Sequence, residues 1–173
     1  MSIYASGQRI LLPVNPWFIV LTIVTTFVFN LLPWRDVRGV PDLLALVLVF
    51  WAMREPRKIG IGVPFVLGLA MDAANGVLLG QHALAYSVMA FLAASIARRV
   101  LWFGAWGQGL HALGILLVGQ LIMFGVRMAA GGSFPGFTYF LGPFIAAALW
   151  PVASFLMLAP QRRPESVDET RPI

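Results

Sequence analysis

The chain contains no cysteine and only two histidines among its 173 residues. Without cysteine it can form neither a disulfide nor a thiolate metal site. The two histidines, His82 and His111, are too few for a histidine-based metal cluster. We therefore predict that the protein binds no metal and needs no cofactor.

Charged residues are also scarce: they make up 11% of the chain, whereas hydrophobic residues make up 60%. A soluble domain is usually about a quarter charged and about half apolar. The apolar residues fall in long runs, which indicates an integral membrane protein built as one domain. The net charge of +5 does not indicate nucleic-acid binding. The lysines and arginines sit at the ends of apolar segments, where they set orientation and can meet anionic lipid.

Motifs of common catalytic sites are absent as well. The sequence has no HExxH, no GxSxG, no glycine-rich loop followed by Lys-Ser or Lys-Thr, and no close pair of carboxylates within an apolar segment. An intramembrane reaction would depend on Asp72 almost alone. We therefore predict that the protein is not an enzyme.

The apolar runs predict an all-α, polytopic membrane helix bundle that forms one domain over residues 1–160. Six spans are predicted, at residues 10–32, 40–53, 60–75, 82–97, 110–126 and 137–158. A polar tail at 161–173 is expected to be disordered and cytoplasmic. A cleaved signal peptide is the alternative for the first span. Pro33, Trp34 and Arg35 follow that span in place of a small-residue cleavage site, which favours an uncleaved anchor.

The second predicted span is short. Pro41-Asp42 is typical of a helix start, with Asp42 as the cap, and residues 43–53 are apolar throughout. At about 1.5 Å per residue, this run is much shorter than a hydrocarbon core of about 30 Å. A re-entrant hairpin, and with it a protein of five spans, is therefore an alternative.

The distribution of lysine and arginine predicts the orientation. With six spans, nine basic residues share the side of the N-terminus and three lie on the other side: Arg35, Arg38 and Arg127. With five spans the counts are ten and two, and the N-terminus is external. Both alternatives place residues 54–58, Arg98-Arg99 and the C-terminus in the cytoplasm, and residues 76–81 and 129–136 outside.

One stretch, residues 60–84, carries a glycine, a proline or a carboxylate at every fourth position: Gly60, Pro64, Gly68, Asp72, Gly76 and Gly80. Positions four apart lie on one face of a helix. The first four therefore predict a narrow seam for helix packing or partner binding. Asn75-Gly76 is typical of a helix end with a left-handed residue. We expect this segment to form the packed centre of the bundle.

Asp72 is the strongest candidate for a functional residue, because ionisable groups at membrane depth are costly and often functional. In a functional role it contacts a ligand or partner near the external end, paired with Arg127 or a backbone amide. In a structural role, which we favour, it bonds the turn at Asn75-Gly76 and holds the helix end. Gln120, in the middle of the fifth span, is interpreted as a hydrogen-bonded link to another helix.

Five basic residues are predicted to lie on the cytoplasmic side: Arg54, Arg57, Lys58, Arg98 and Arg99. The 54–58 group can dock a cytoplasmic protein, or it can act as a topology signal that contacts lipid head groups. The lipid contact is the favoured interpretation.

The central stretch also follows a family pattern. A basic loop with a proline precedes an apolar helix ending in Gly-Leu-x-x-Asp, and a glycine, a Leu-Gly pair and an Ala-Leu pair come after it. The matching residues are Pro56, Gly68, Leu69, Asp72, Gly76, Leu79, Gly80, Ala83 and Leu84. Pro41, before a short apolar helix that ends in Trp51, fits too. Over residues 40–100 the chain resembles the bacterial rod shape-determining MreD family.

The resemblance implies a non-enzymatic inner-membrane protein of the cell-elongation machinery, which maintains rod shape by scaffolding peptidoglycan synthesis. It implies that helix faces and short external loops bind MreC. It also implies work alongside MreB, RodZ, RodA and a class B penicillin-binding protein. The fold is expected to be similar to the substrate-binding subunits of energy-coupling-factor transporters.

The alternative function is a substrate-binding subunit of a vitamin-type transporter. Such a subunit needs a roomy external cavity, here lined by Asp72, Gln120, Tyr86, Tyr139 and Trp150. The first span lacks the paired alanines, four apart, with which such subunits dock their energising partner. The scaffold is therefore the preferred hypothesis.

Overall fold

The computed structural model describes residues 14–32 and 39–161. Within these ranges the chain forms six α-helices: α1 (Pro16–Asn30), α2 (Leu43–Arg54), α3 (Gly62–Asn75), α4 (Gln81–Val100), α5 (Ala105–Ala129) and α6 (Leu141–Leu158). Short 3₁₀ helices at Phe137–Phe140 and Ala159–Gln161 flank α6. The all-α prediction is confirmed for this part of the chain. The predictions for residues 10–13, for Pro33, Trp34 and Arg35 after the first span, and for the tail beyond Gln161 concern residues outside these ranges.

Local chemistry explains where several helices begin and end. The Asn15 side chain accepts the Trp17 N–H at 3.0 Å, and Pro16 occupies the first position of α1, where its missing N–H is no loss. Asp42 caps α2, as predicted, by accepting the Ala45 N–H at 2.8 Å. α3 ends at Gly76, whose φ of +61° favours glycine.

α2 lies at the centre of the bundle, so the prediction that residues 60–84 form the centre was wrong. Residues 44–53 are each at most 2% exposed, and α1, α4, α5 and α6 pack around them. A helix that is apolar on every side is buried on every side, and these ten residues include neither a glycine nor a charged group. α3 instead packs against α4 and leaves Phe65 and Val66 exposed.

Hydrogen bonds at the two ends of the bundle give the direction of α1 and α2. At the acidic end, where Asp42 and Asp72 lie, Asn30 Nδ2 donates to Asp42 Oδ1 at 2.6 Å. At the basic end, defined by residues 54–58 and 98–99, Lys58 Nζ donates to the Val14 carbonyl at 3.1 Å. α1 therefore runs from the basic to the acidic end, and α2 runs back over the same distance.

Only part of the bundle is long enough to cross a membrane by itself. Three segments in the described residues have the length and apolar composition to do so: Gln81–Val100, Ala105–Ala129 and Phe137–Gln161. α1 and α2 are shorter apolar helices. The 12 residues of α2 reach about 18 Å at 1.5 Å each, but protein surrounds this helix on all sides. Its shortness therefore exposes no backbone to lipid.

Candidate functional site

Gly68 marks the closest approach between α3 and α4. A Cβ atom added to Gly68 would lie 2.4 Å from the Ala83 Cα and 2.5 Å from the Ala83 nitrogen. Pro64 and Asp72, one turn to either side, are buried on the same face. The seam of small residues thus lets the backbone of α4 pack directly on α3.

Asp72 caps the start of α4 from the end of α3. Its carboxylate accepts the backbone N–H groups of Gly80 at 2.8 Å, His82 at 2.9 Å and Ala83 at 3.4 Å. The residue before α4 is Gly80, which has no side chain to cap the helix itself. Asp72 therefore supplies, from eight positions upstream, the acceptor that the first N–H groups of a helix need.

The structural role predicted for Asp72, bonding the turn at Asn75-Gly76, is not the role of its carboxylate, which bonds the backbone of the next helix. The backbone carbonyl of Asp72 accepts the Val77 N–H at 3.2 Å in the turn, whereas the carboxylate turns to α4. The ring nitrogen next to the carboxylate belongs to His82, whose Nδ1 lies 2.7 Å from Asp72 Oδ1, and the partner is not Arg127. Asp72 is fully buried, and the His82 side chain is 15% exposed. Gly80 at the start of α4 is the sequence signal that could have indicated the capping by Asp72. A helix preceded by glycine has no capping side chain of its own and needs an acceptor from elsewhere in the chain.

The remaining seam residues lie apart from the α3–α4 contact. Gly60 precedes α3, is exposed and has no atom within 4 Å of an added Cβ. Gly76 and Gly80 have φ values of +61° and +101°, and likewise no atom within 4 Å of an added Cβ. These two glycines serve the turn between α3 and α4, where the left-handed backbone favours glycine.

A second carboxylate, Asp42, ties three helices together at the acidic end. Besides capping α2, it accepts Asn30 Nδ2 from α1 at 2.6 Å and the Tyr86 hydroxyl from α4 at 2.7 Å. Tyr86 is fully buried. Sequence reasoning assigned Asp42 a capping role only and missed these tertiary contacts, because neither partner is near it in the sequence.

A cavity of about 140 Å³ opens between α2, α4, α5 and α6 at the acidic end. Its polar lining residues are Asp42, His82, Gln120 and Tyr139. Gln120 Nε2 donates to the Tyr139 carbonyl at 2.9 Å, so the predicted interhelical role of Gln120 is confirmed. Asp72, Tyr86 and Trp150 do not line the cavity.

The basic end carries the predicted basic residues in different environments. The Arg54 guanidinium lies 5.0 Å above the Phe50 ring, and Nη2 lies 3.5 Å from Gln108 Oε1. Lys58 Nζ lies 3.4 Å from Glu55 Oε2, whereas Arg57, Arg98 and Arg99 are exposed. The structure thus leaves the three arginines free to meet charged surfaces.

A groove of about 320 Å³ lies near the basic end, between the α2–α3 link and α4. Small residues from both sides form much of its lining: Ala52, Gly60, Ala90, Ala94 and Ser95. Ile61 and Phe91, both more than half exposed, lie at the same groove. Of the six predicted seam residues, Gly60 alone lines it.

In the described ranges, 14–32 and 39–161, no group of three or more acidic or histidine side chains could hold a metal ion. What the structure presents is a set of packed apolar helices, a tertiary helix cap and a small-residue groove. These features define a multi-pass α-helical membrane protein.

The sequence model of the family described as rod shape-determining protein MreD matches residues 12–159. The chain belongs to the MreD family. It is 32% identical over 150 residues to the rod shape-determining protein MreD of Haemophilus influenzae, a match that covers 85% of this chain and 93% of that protein. No solved structure matches the chain. The expected similarity to energy-coupling-factor subunits therefore stays a prediction.

Proposed function

We propose that the protein is a non-enzymatic component of the cell-elongation machinery that scaffolds peptidoglycan synthesis by binding MreC through helix contacts. Family membership is the observation that carries the general function, because the match covers nearly the whole bundle. The cell-elongation proteins named above, MreB, RodZ, RodA and a class B penicillin-binding protein, are the wider partners of this proposal. The interior of the bundle is already filled by α2, so a partner has to bind on the outside.

The small-residue groove is the surface best suited to a partner helix. Helices in membranes associate where small residues allow close backbone approach, since lipid removes the hydrophobic driving force between them. Gly60, Ala94 and Ser95 are exposed along the groove and leave room for such an approach. The Gly68 face, in contrast, is already occupied by α4. We place the single span of MreC in this groove.

Replacing Ala94 by leucine should reduce co-purification of MreC at least tenfold while the bundle stays folded. Ala94 is exposed in the groove, so added methyl groups block a partner helix without disturbing the interior. The matched control is Ala148→Leu, an exposed alanine on α6 away from the groove. Normal MreC recovery with Ala94→Leu, at equal protein level, would exclude the groove as the docking site.

The proposed orientation places the basic end in the cytoplasm, near MreB and anionic lipid, and the acidic end outside. The positive-inside rule supports this because Arg54, Arg57, Lys58, Arg98 and Arg99 share one end. Val14 contacts Lys58 at that same end. The contact supports six spans with a cytoplasmic N-terminus.

Single cysteines test this topology directly, since the natural chain has none. In spheroplasts, a membrane-impermeant maleimide should label Ser133→Cys, in the exposed loop between α5 and α6, without permeabilisation. Ser2→Cys should react only after the membrane is opened. Labelling of both positions from outside would instead support the five-span alternative.

The transporter alternative receives less support from the geometry. Pockets for small-molecule ligands usually occupy about 300–1,000 Å³, whereas the cavity at the acidic end measures about 140 Å³. Three of the five residues expected to line a vitamin site, Asp72, Tyr86 and Trp150, lie elsewhere. Loss of rod shape on depletion, with no nutrient requirement, would support the scaffold over the transporter.

A further inference from the structure

The polar groups that line the cavity at the acidic end offer several hydrogen-bond acceptors. Asp42 carries a carboxylate, and Gln120 turns its amide nitrogen to the Tyr139 carbonyl, which leaves the amide oxygen as an acceptor. His82 places Nδ1 against Asp72, so in a neutral ring Nε2 is also an acceptor. The Tyr139 hydroxyl can donate or accept, and the second N–H of Gln120 can donate. A ligand that donates several hydrogen bonds matches this lining.

Asp42 has no cationic partner among the described residues. The ion pair found there is Lys58 with Glu55, and the carboxylate that His82 Nδ1 contacts is Asp72. Within residues 14–32 and 39–161, the three groups that bond to the Asp42 side chain are neutral: the Ala45 N–H, the Asn30 amide and the Tyr86 hydroxyl. A carboxylate has about four lone-pair positions, so Asp42, which lines the cavity, has the capacity to accept a further donor besides these three. A positive charge in the cavity would also stabilise this partly exposed carboxylate at the end of the bundle.

The size of the cavity limits what can enter. An apolar cavity of roughly 150 Å³ holds a benzene ring, so the volume of about 140 Å³ suits a group of similar size. A vitamin is excluded by this volume, whereas an ammonium group on a chain of two or three carbons fits. Met89, Leu116, Met123 and Ala146 provide apolar walls for such a chain.

We propose that the cavity lined by Asp42, His82, Gln120 and Tyr139 binds a primary ammonium group on a short carbon chain. The ammonium donates hydrogen bonds to the Asp42 carboxylate and the Gln120 amide oxygen, and the carbons lie along Met89 and Ala146. Ethanolamine has this chemistry, either free or as the head group of phosphatidylethanolamine. The site goes beyond the proposed scaffold function and does not depend on it, because groove and cavity share no lining residue.

The full chain in phosphatidylglycerol nanodiscs provides the test. Added ethanolamine should raise the unfolding temperature by a few degrees and saturate in the millimolar range, because a ligand that binds the folded state stabilises it. Choline, whose ammonium carries no N–H donor, should produce no saturable rise. A comparison of nanodiscs that contain phosphatidylethanolamine with nanodiscs that contain phosphatidylcholine shows whether the amine is a lipid head group or free ethanolamine. A rise at a few mole per cent of phosphatidylethanolamine identifies lipid as the ligand, and a rise with free ethanolamine alone identifies a soluble amine.

Three variants test the site itself. Asp42→Asn keeps a helix cap but removes the charge, and Gln120→Met keeps the volume but removes the acceptor. Each should weaken the apparent affinity roughly tenfold or more, the usual effect of losing a charge-assisted or buried hydrogen bond. Ala146→Leu should abolish binding by filling the cavity, whereas Ala148→Leu, exposed on the same helix, should bind normally. The comparison of Ala146→Leu with Ala148→Leu tests the site even if Asp42→Asn does not fold. It also does not require that the protein binds MreC.

Several results would overturn the site. The first is the absence of any saturable shift with ethanolamine and with phosphatidylethanolamine in the natural chain. The second is an equal shift with choline, which would show that no N–H donor is required. The third is an unchanged affinity in Ala146→Leu, which would place the amine elsewhere on the protein.

Discussion

Replacing Gly68 by alanine is expected to lower the free energy of unfolding by about 1–3 kcal/mol, the usual effect of inserting atoms into a well-packed contact. The added Cβ would lie 2.4 Å from the Ala83 Cα, which is backbone and cannot rotate away. α3 and α4 must therefore separate, and leucine at the same position should prevent a stable α3–α4 contact altogether. Thermal unfolding of the purified chain in detergent, together with its level in membranes, measures the effect.

The matched control is Gly62→Ala on the same helix. An added Cβ at Gly62 meets no atom within 4 Å. The change should therefore leave stability unchanged or raise it by up to about 1 kcal/mol, because alanine is the better helix former. If Gly68→Leu left both the bundle and its association with MreC intact, the α3–α4 seam would not be the tight contact described above.

Removing the Asp72 carboxylate is expected to have an effect at least as large. Asp72→Ala leaves the N–H groups of Gly80, His82 and Ala83 without their acceptor. Each buried donor left unpaired costs about 1–3 kcal/mol, so the start of α4 should unwind and the amount of folded protein should fall steeply. Protein level and protease resistance of the α3–α4 turn report the loss.

Two further variants separate capping from charge. Asp72→Asn retains one carbonyl oxygen and should be intermediate between the natural chain and Asp72→Ala. Glu55→Ala removes a partly exposed ion pair with Lys58, which is worth at most about 1 kcal/mol. An Asp72→Ala protein that folds normally but fails to bind MreC would instead show that this carboxylate contacts the partner.

The sequence predicted the caps and glycine turns well because these features are local. Asp42 precedes an apolar run, and Gly76 follows one, so each can be assigned from a few neighbouring residues. The bonds from Asp42 to Asn30 and Tyr86 join residues 12 and 44 positions apart, and no local pattern indicates them. Likewise His82 pairs with Asp72 only because α3 and α4 fold back on one another.

The position of α2 shows a different reason for error. Glycines at four-residue spacing in α3 indicated close approach, which Gly68 confirms against Ala83, and we took close approach to indicate the centre. Close approach requires only one neighbour, however, whereas a central position requires apolar residues on every face. The uninterrupted apolar run at residues 43–53 carried that second signal, but we considered its short length only as a reason to keep a re-entrant segment as an alternative.

By itself the sequence determined that this is an α-helical membrane protein, that residues 60–84 contain a tight packing contact, and that the chain resembles the MreD family. The first two conclusions depend on composition, periodicity and residue spacing, which act over a few turns of chain, and the third depends on the match of particular residues to a family pattern. Only the tertiary structure decided that α2 is enclosed, that Asp72 caps a different helix, and that Asp42, His82, Gln120 and Tyr139 surround one cavity. Such groupings depend on which helices pack together and on how each helix is rotated about its own axis. Many contacts between residues far apart in the sequence together determine that geometry.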